Sequence, residues 1–171
     1  MLDQQLINLV QQIKDTITVK ISTAESCTGG LLSAYLTSLP GSSKYFTGGI
    51  ISYSNLAKMK LLKVNSETLK NYGAVSEQVA REMAQGCQAI NGSQIAVSIT
   101  GIAGPGGGSK NKPIGTVCFA IINDQQTRSY TYYFDGDREQ IRQQSCKIAL
   151  ELIIDIFNHS KYSSELKECS E

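Results

Sequence analysis

Ser26 is the residue in this sequence best placed for nucleophilic chemistry. It lies in Thr23-Ala24-Glu25-Ser26-Cys27-Thr28-Gly29-Gly30, a turn-rich run between a predicted strand and a predicted helix. A serine at the mouth of a helix sits beside unpaired N–H groups that can stabilise an oxyanion or hold a phosphate. Gly29 and Gly30 would let a ligand approach the backbone. The same place also suits a serine that only caps the helix, and taken by itself capping is the commoner duty.

The available bases narrow the chemistry. A Ser-His-Asp or Cys-His mechanism needs an imidazole, and the one histidine is His159, close to the C-terminal end where fraying is expected. The five cysteines, Cys27, Cys87, Cys118, Cys146 and Cys169, are an odd number and form no Cys-x-x-Cys pair. They read as reduced thiols, and nothing offers the closely spaced ligands of a zinc site. Only Cys27 lies beside something chemical. The stretch Gly101-Ile102-Ala103-Gly104-Pro105-Gly106-Gly107-Gly108 lacks the Gly-Lys-Ser/Thr ending of a phosphate loop and the spacing of a dinucleotide fingerprint. A Ser-x-x-Lys match at Ser109 to Lys112 falls in a loop rather than opening a helix, so it is read as chance. What remains is a serine activated by lysine, which becomes a base when burial or a neighbouring cation lowers its pKa from about 10.4 toward neutrality. A tyrosine between the two could relay the proton.

The elements that must position such a pair are visible in the periodicity. Residues 3–15 read as an amphipathic helix, Ile17 to Ser22 as a strand, and Leu31 to Leu39 as a helix stopped by Pro40-Gly41. Tyr45 to Tyr53 reads as a second strand, after which Asn55 is the expected N-cap of a helix carrying Lys58. Ser76-Glu77 opens a scaffold helix running to about Ile90. Ile95 to Thr100, Thr116 to Ile122 and Arg128 to Phe134 read as strands, the last two joined in a hairpin at Asn123-Asp124. A long helix starts at Asp137. Helices before, between and after strands predict an α/β fold, a three-layer α/β/α sandwich with a mixed, mainly parallel sheet. One domain is expected over residues 1–160, followed by a polar, disordered tail over 161–171.

The chain has 171 residues, 41% of them hydrophobic, enough for one substantial core, and its net charge is +1 with no run of basic residues. Nucleic acid is therefore not an expected partner. The N-terminus lacks the pattern of a signal peptide and no apolar stretch reaches spanning length, which predicts a cytoplasmic protein without membrane association.

Four runs occur in order: Thr23 to Gly30, Tyr53-Ser54-Asn55 with Ala57-Lys58, Gly73-Ala74-Val75-Ser76, and Ser98-Ile99-Thr100-Gly101-Ile102-Ala103-Gly104-Pro105. Together with Lys112-Pro113-Ile114-Gly115-Thr116-Val117 and Gly136-Asp137-Arg138, they resemble the CinA C-terminal domain family. That resemblance implies a nicotinamide-nucleotide amidohydrolase, converting nicotinamide mononucleotide and water to nicotinate mononucleotide and ammonia in NAD salvage. It implies a homodimer and a mechanism without metal or cofactor, with Ser26, Tyr53 and Lys58 as the catalytic set. Thr28, Gly29, Gly30, Ser43, Thr100, Gly101 and Arg138 are the implied substrate contacts. Lys60 and Lys63 compete with Lys58 on sequence alone, and the spacing from Tyr53 favours Lys58. Arg138 in a helix's first turn opposes the helix dipole, which hints at an anionic partner, although a surface ion pair would explain it equally well. Some family members carry a further N-terminal domain linked by name to competence and DNA damage; its absence from this sequence favours the amidase. The rival readings are a non-catalytic nucleotide-binding or interaction module, and an amidase acting on another small amide.

Overall fold

A computed structural model describes residues 2–168, with side chains through Ser160. Asp3 opens the first helix by accepting from the Gln5 and Leu6 amides at 2.7 and 3.3 Å, and α1 (Gln4–Thr16) buries Leu6, Val10 and Ile13. The remaining helices are α2 (Leu31–Leu36), α3 (Asn55–Leu62), α4 (Ser66–Tyr72), α5 (Glu77–Asn91) and α6 (Arg138–Glu168). The strands are β1 (Ile21–Glu25), β2 (Phe46–Ile51), β3 (Ile95–Gly101), β4 (Thr116–Ile122) and β5 (Thr127–Tyr133). They form one sheet in the order β2-β1-β3-β4-β5. β2, β1, β3 and β5 run the same way and β4 alone is reversed, so the sheet is mixed with mainly parallel strand directions.

Alternation along β3 and β4 sorts the two faces by size. Val97, Ile99, Val117, Phe119 and Ile121 join the core beneath α1, α2 and α6. Ala96, Cys118 and Ala120 face the other way, toward α5 and its Ala80 and Ala84. Small residues on both sides bring α5 close to the sheet, where Ser98 Oγ donates to Ala80 O at 2.6 Å. A Cβ at Gly86 would stand 2.0 Å from the Leu62 carbonyl oxygen, so only glycine lets α3 lie against α5. The result is the three-layer α/β/α sandwich.

Several boundaries differ from the sequence expectation for identifiable reasons. The first strand is displaced toward Ser26: it covers Ile21–Glu25 rather than 17–22, and all five residues are buried. Its polar members are paired, Ser22 Oγ with Ser93 Oγ at 2.7 Å and Thr23 Oγ1 with Ser33 Oγ at 2.8 Å, so polarity did not exclude them from the sheet. α2 ends at Leu36, where the Thr37 and Ser38 hydroxyls take up the Ser33 and Tyr35 carbonyls at 2.8 and 2.7 Å. Ser54 rather than Asn55 is the N-cap of α3. α4, short and polar, has no counterpart in the apolar periodicity. α6 continues through Glu168, taking in most of the segment expected to be an unstructured tail; its polarity argues against burial but not against helix, and no Gly or Pro interrupts it. The end of that segment, 169–171, including Cys169, lies outside the described residues. Among the described residues no helix is long and apolar enough to cross a membrane.

Candidate active site

Ser26 stands one residue beyond β1, and its amide donates to Ile99 O at 2.9 Å, extending the β1–β3 ladder to the carboxyl edge of the sheet. Across the other flank, Ser52 N donates to Glu25 O at 2.8 Å, which holds the β2–α3 turn at the same level. Ser54 caps α3 by accepting from Ala57 N at 3.1 Å, and Lys58 closes that helix's first turn. Its side chain is 1% exposed. The Lys58 Nζ lies 2.8 Å from Ser26 Oγ, 2.7 Å from Ser52 O and 3.5 Å from Tyr53 O.

Burial disfavours the ammonium and pushes the Lys58 pKa from its usual 10.5 down to about 8. A neutral amine has two N–H donors and one lone pair. The two carbonyls can only accept, so they take the N–H groups and leave the lone pair for the Ser26 hydroxyl, the partner that can donate. Burial thus brings the basic form of the lysine within reach near neutrality, and in that form the amine is aimed at the serine. Cys27, next in the chain, behaves oppositely: burial pushes its thiol up to about 12, so it stays protonated and is a poor nucleophile.

Ser26, Lys58, Tyr53, Thr100, Gly101 and Arg138 share one cleft of about 230 Å³. Thr100 is buried, donates to Ala74 O at 2.8 Å and thereby fixes the facing wall. Gly101 is required by packing, since a Cβ there would come within 2.7 Å of Val117 Cγ2. Arg138 spans the mouth, its Nη1 donating to Gly104 O at 2.8 Å and its Nη2 to the Tyr53 hydroxyl at 2.9 Å. Tyr53 is therefore not interposed between Ser26 and Lys58. The lysine reaches the serine directly, and the exposed phenol belongs to the rim.

The implied contacts at Thr28, Gly29, Gly30 and Ser43 are not brought to this cleft. The first-turn amides of α2 are already occupied: the buried Glu25 carboxylate accepts from Gly30 N, Leu32 N and Ser33 N at 3.0, 3.1 and 2.8 Å, and from Ser33 Oγ at 2.6 Å. The α2 N-cap, Gly30, provides no side-chain cap, so Glu25 does this from within the chain and leaves those amides none to offer a phosphate. Thr28 is buried, and its carbonyl accepts from Arg142 Nη2 at 2.7 Å. Ser43 sits in a 3₁₀ turn, Ser42–Lys44, before β2 and at the opposite end of the sheet, where its carbonyl accepts from Lys20 Nζ at 2.9 Å. His159, on α6, approaches Asp155 Oδ1 at 3.2 Å and does not line the cleft.

Cys27, Asn55, Ala74, Val75, Ile102, Ala103, Gly104 and Gly106 complete the cleft. Sequence reasoning gave Ala74, Val75 and 102–104 no site role because none carries a titratable group, although all fall within the runs that carry the family resemblance. No carboxylate lines the cleft among the described residues, so its one fixed charge is the Arg138 guanidinium, with Lys58 a second cation when protonated. Nor does any group of His, Cys, Asp and Glu side chains among the described residues form a metal-binding cluster.

Fold and site together define an α/β sandwich with a serine and a buried lysine hydrogen-bonded at the carboxyl edge of its sheet. The chain belongs to the CinA C-terminal domain family, whose model matches residues 3–157. A CinA-like protein of Syntrophomonas wolfei is 54% identical over 134 residues, covering 78% of this chain and 32% of that protein. One from Fervidobacterium nodosum is 43% identical over 151 residues, 88% of this chain and 37% of the other. The chain thus spans only 32% and 37% of the length of these curated relatives. Among solved structures, the competence/damage inducible protein CihA from Agrobacterium tumefaciens superposes with a TM-score of 0.88 at 39% identity, covering 91% of this chain and 97% of that one. A CinA superfamily protein from Escherichia coli gives 0.85 at 33% identity, covering 91% and 94%.

Proposed function

We propose that this chain is a nicotinamide-nucleotide amidase that hydrolyses nicotinamide mononucleotide to nicotinate mononucleotide and ammonia. The observation that carries the reading is the buried Lys58 Nζ 2.8 Å from Ser26 Oγ; its other contacts are carbonyl acceptors, so the neutral amine turns its lone pair to the hydroxyl. Lys58 takes the hydroxyl proton as Oγ bonds to the carboxamide carbon. The resulting ammonium protonates the carboxamide nitrogen, the C–N bond breaks and ammonia leaves. Water then adds to the Ser26 ester, gives a proton to Lys58, and the C–O bond to Ser26 breaks with return of that proton to the serine. The Cys27 N–H, the amide following the nucleophile, is the oxyanion donor in this reading.

The apolar walls at Ala74, Val75, Ile102 and Ala103 suit a flat ring, and a cleft with Arg138 at its mouth and no carboxylate favours a substrate bearing a phosphate. The same reading takes the enzyme to be a cytoplasmic homodimer that uses neither metal nor cofactor and has no nucleic-acid partner. The test is ammonia release from nicotinamide mononucleotide by purified protein in the presence of EDTA, beside a panel of other small amides. Turnover is expected, and Ser26→Ala is expected to abolish it while leaving the protein folded. Release only from a different amide overturns the substrate. Undiminished release by folded Ser26→Ala overturns the nucleophile.

A further inference from the structure

The segment 102–115 between β3 and β4 forms one wall of the cleft and has no regular secondary structure beyond its anchoring turns. Its glycines pack around Ile114: a Cβ at Gly104 would lie 2.9 Å from Ile114 Cγ2, and one at Gly108 would lie 3.0 Å from Ile114 N. Ser109 and Lys112 close a turn, with Ser109 N donating to Lys112 O at 2.8 Å and Lys112 N to Ser109 Oγ at 3.1 Å. From that turn Lys112 Nζ reaches Tyr72 O at 2.6 Å. Tyr72 is the last residue of α4, so its carbonyl is one of those a helix leaves without an internal donor, and a cation there is favoured by the dipole. Two residues beyond it, Ala74 and Val75 form the facing wall. Lys112 therefore ties one wall of the cleft to the other.

We infer that Lys112 is a positioning residue for substrate, holding Ile114 beneath Gly104 so that the loop wall, with the Gly104 carbonyl that Arg138 uses, is ordered before substrate arrives. This rests on the functional reading above for its kinetic consequence but not for its structural one. Without the latch, substrate must order the loop as it binds, an effect shared by ground and transition states, so KM rises and kcat does not change. Ser26 and Lys58 make no hydrogen bond to this loop, which separates the latch from the chemistry.

The test compares wild type, Lys112→Met and Lys112→Arg in amide hydrogen exchange and in nicotinamide mononucleotide turnover. In Lys112→Met the hydrogen-bonded turn amides of Ser109 and Lys112 are expected to exchange about tenfold faster while those of β1 and α3 are unchanged, and KM to rise about tenfold at constant kcat. Lys112→Arg, which can still donate to the Tyr72 carbonyl, is expected to restore both. Unchanged loop exchange, exchange accelerated throughout the protein, or faster loop exchange without a rise in KM each overturns the inference. If wild type does not turn over the mononucleotide, the functional reading fails and the exchange comparison alone decides whether the latch exists.

Discussion

Replacing Lys58 by methionine removes the buried amine while keeping an unbranched side chain of similar length, and the consequence is readable in stability as well as in activity. In the folded protein the amine titrates near 8 rather than 10.5 because burial disfavours its charge. Between those values the unfolded chain binds more protons than the folded one, so stability rises with pH over that window. The destabilisation by Lys58 is fully present below about 8 and is relieved as pH climbs toward 10.5. From pH 7 to pH 10 the relief amounts to about 2 to 3 kcal/mol by linkage. Urea unfolding of wild type and Lys58→Met at both pH values isolates this contribution, since other titrating groups are common to the two proteins. Wild type is expected to gain that amount on the variant between pH 7 and pH 10. In parallel, wild-type kcat/KM should rise about tenfold per pH unit below 8 and level off above it, because only the neutral amine accepts the Ser26 proton. Parallel pH dependence of the two stabilities would refute the depressed pKa. A kcat/KM profile flat across this range would refute Lys58 as the base.

Lys58→Arg is expected to lose about a hundredfold or more in turnover, because guanidinium does not deprotonate in this range, whereas Lys60→Arg is expected to be silent; ammonia release measures both. Cys27→Ser is expected to keep most of its activity, since its thiol, pushed up to about 12, is not ionised; inactivation of the folded variant would point to a cysteine nucleophile. Glu25→Gln presents an amide to backbone donors that need an acceptor and is expected to destabilise the protein by about 3 kcal/mol; a urea midpoint within error of wild type would remove Glu25 as the cap of α2. Arg138→Met is expected to raise KM for the mononucleotide about tenfold without affecting nicotinamide riboside, which lacks the phosphate; equal effects on both would dissociate Arg138 from the phosphate.

The sequence alone determined the architecture, because alternation of helical and strand periods leaves few ways to bury both faces of a sheet. It also placed Ser26 at a strand-to-helix junction and singled out Lys58 by its spacing from Tyr53, since motif and turn signals are local properties of the chain. It misplaced β1, whose Ser22, Thr23 and Glu25 are polar in the centre of the sheet. That strand is permitted only by partners 5 to 71 residues away, which no strand periodicity reports. Tertiary structure decided which helix-mouth amides were free, since Glu25 occupies those of α2, and it separated Ser43 from the cleft by the length of β1. It likewise turned Lys58 from one of three neighbouring lysines into a buried amine with two carbonyls and one hydroxyl around it. A pKa is set by solvent exclusion and by the groups that converge on an atom, and convergence is a property of the folded chain.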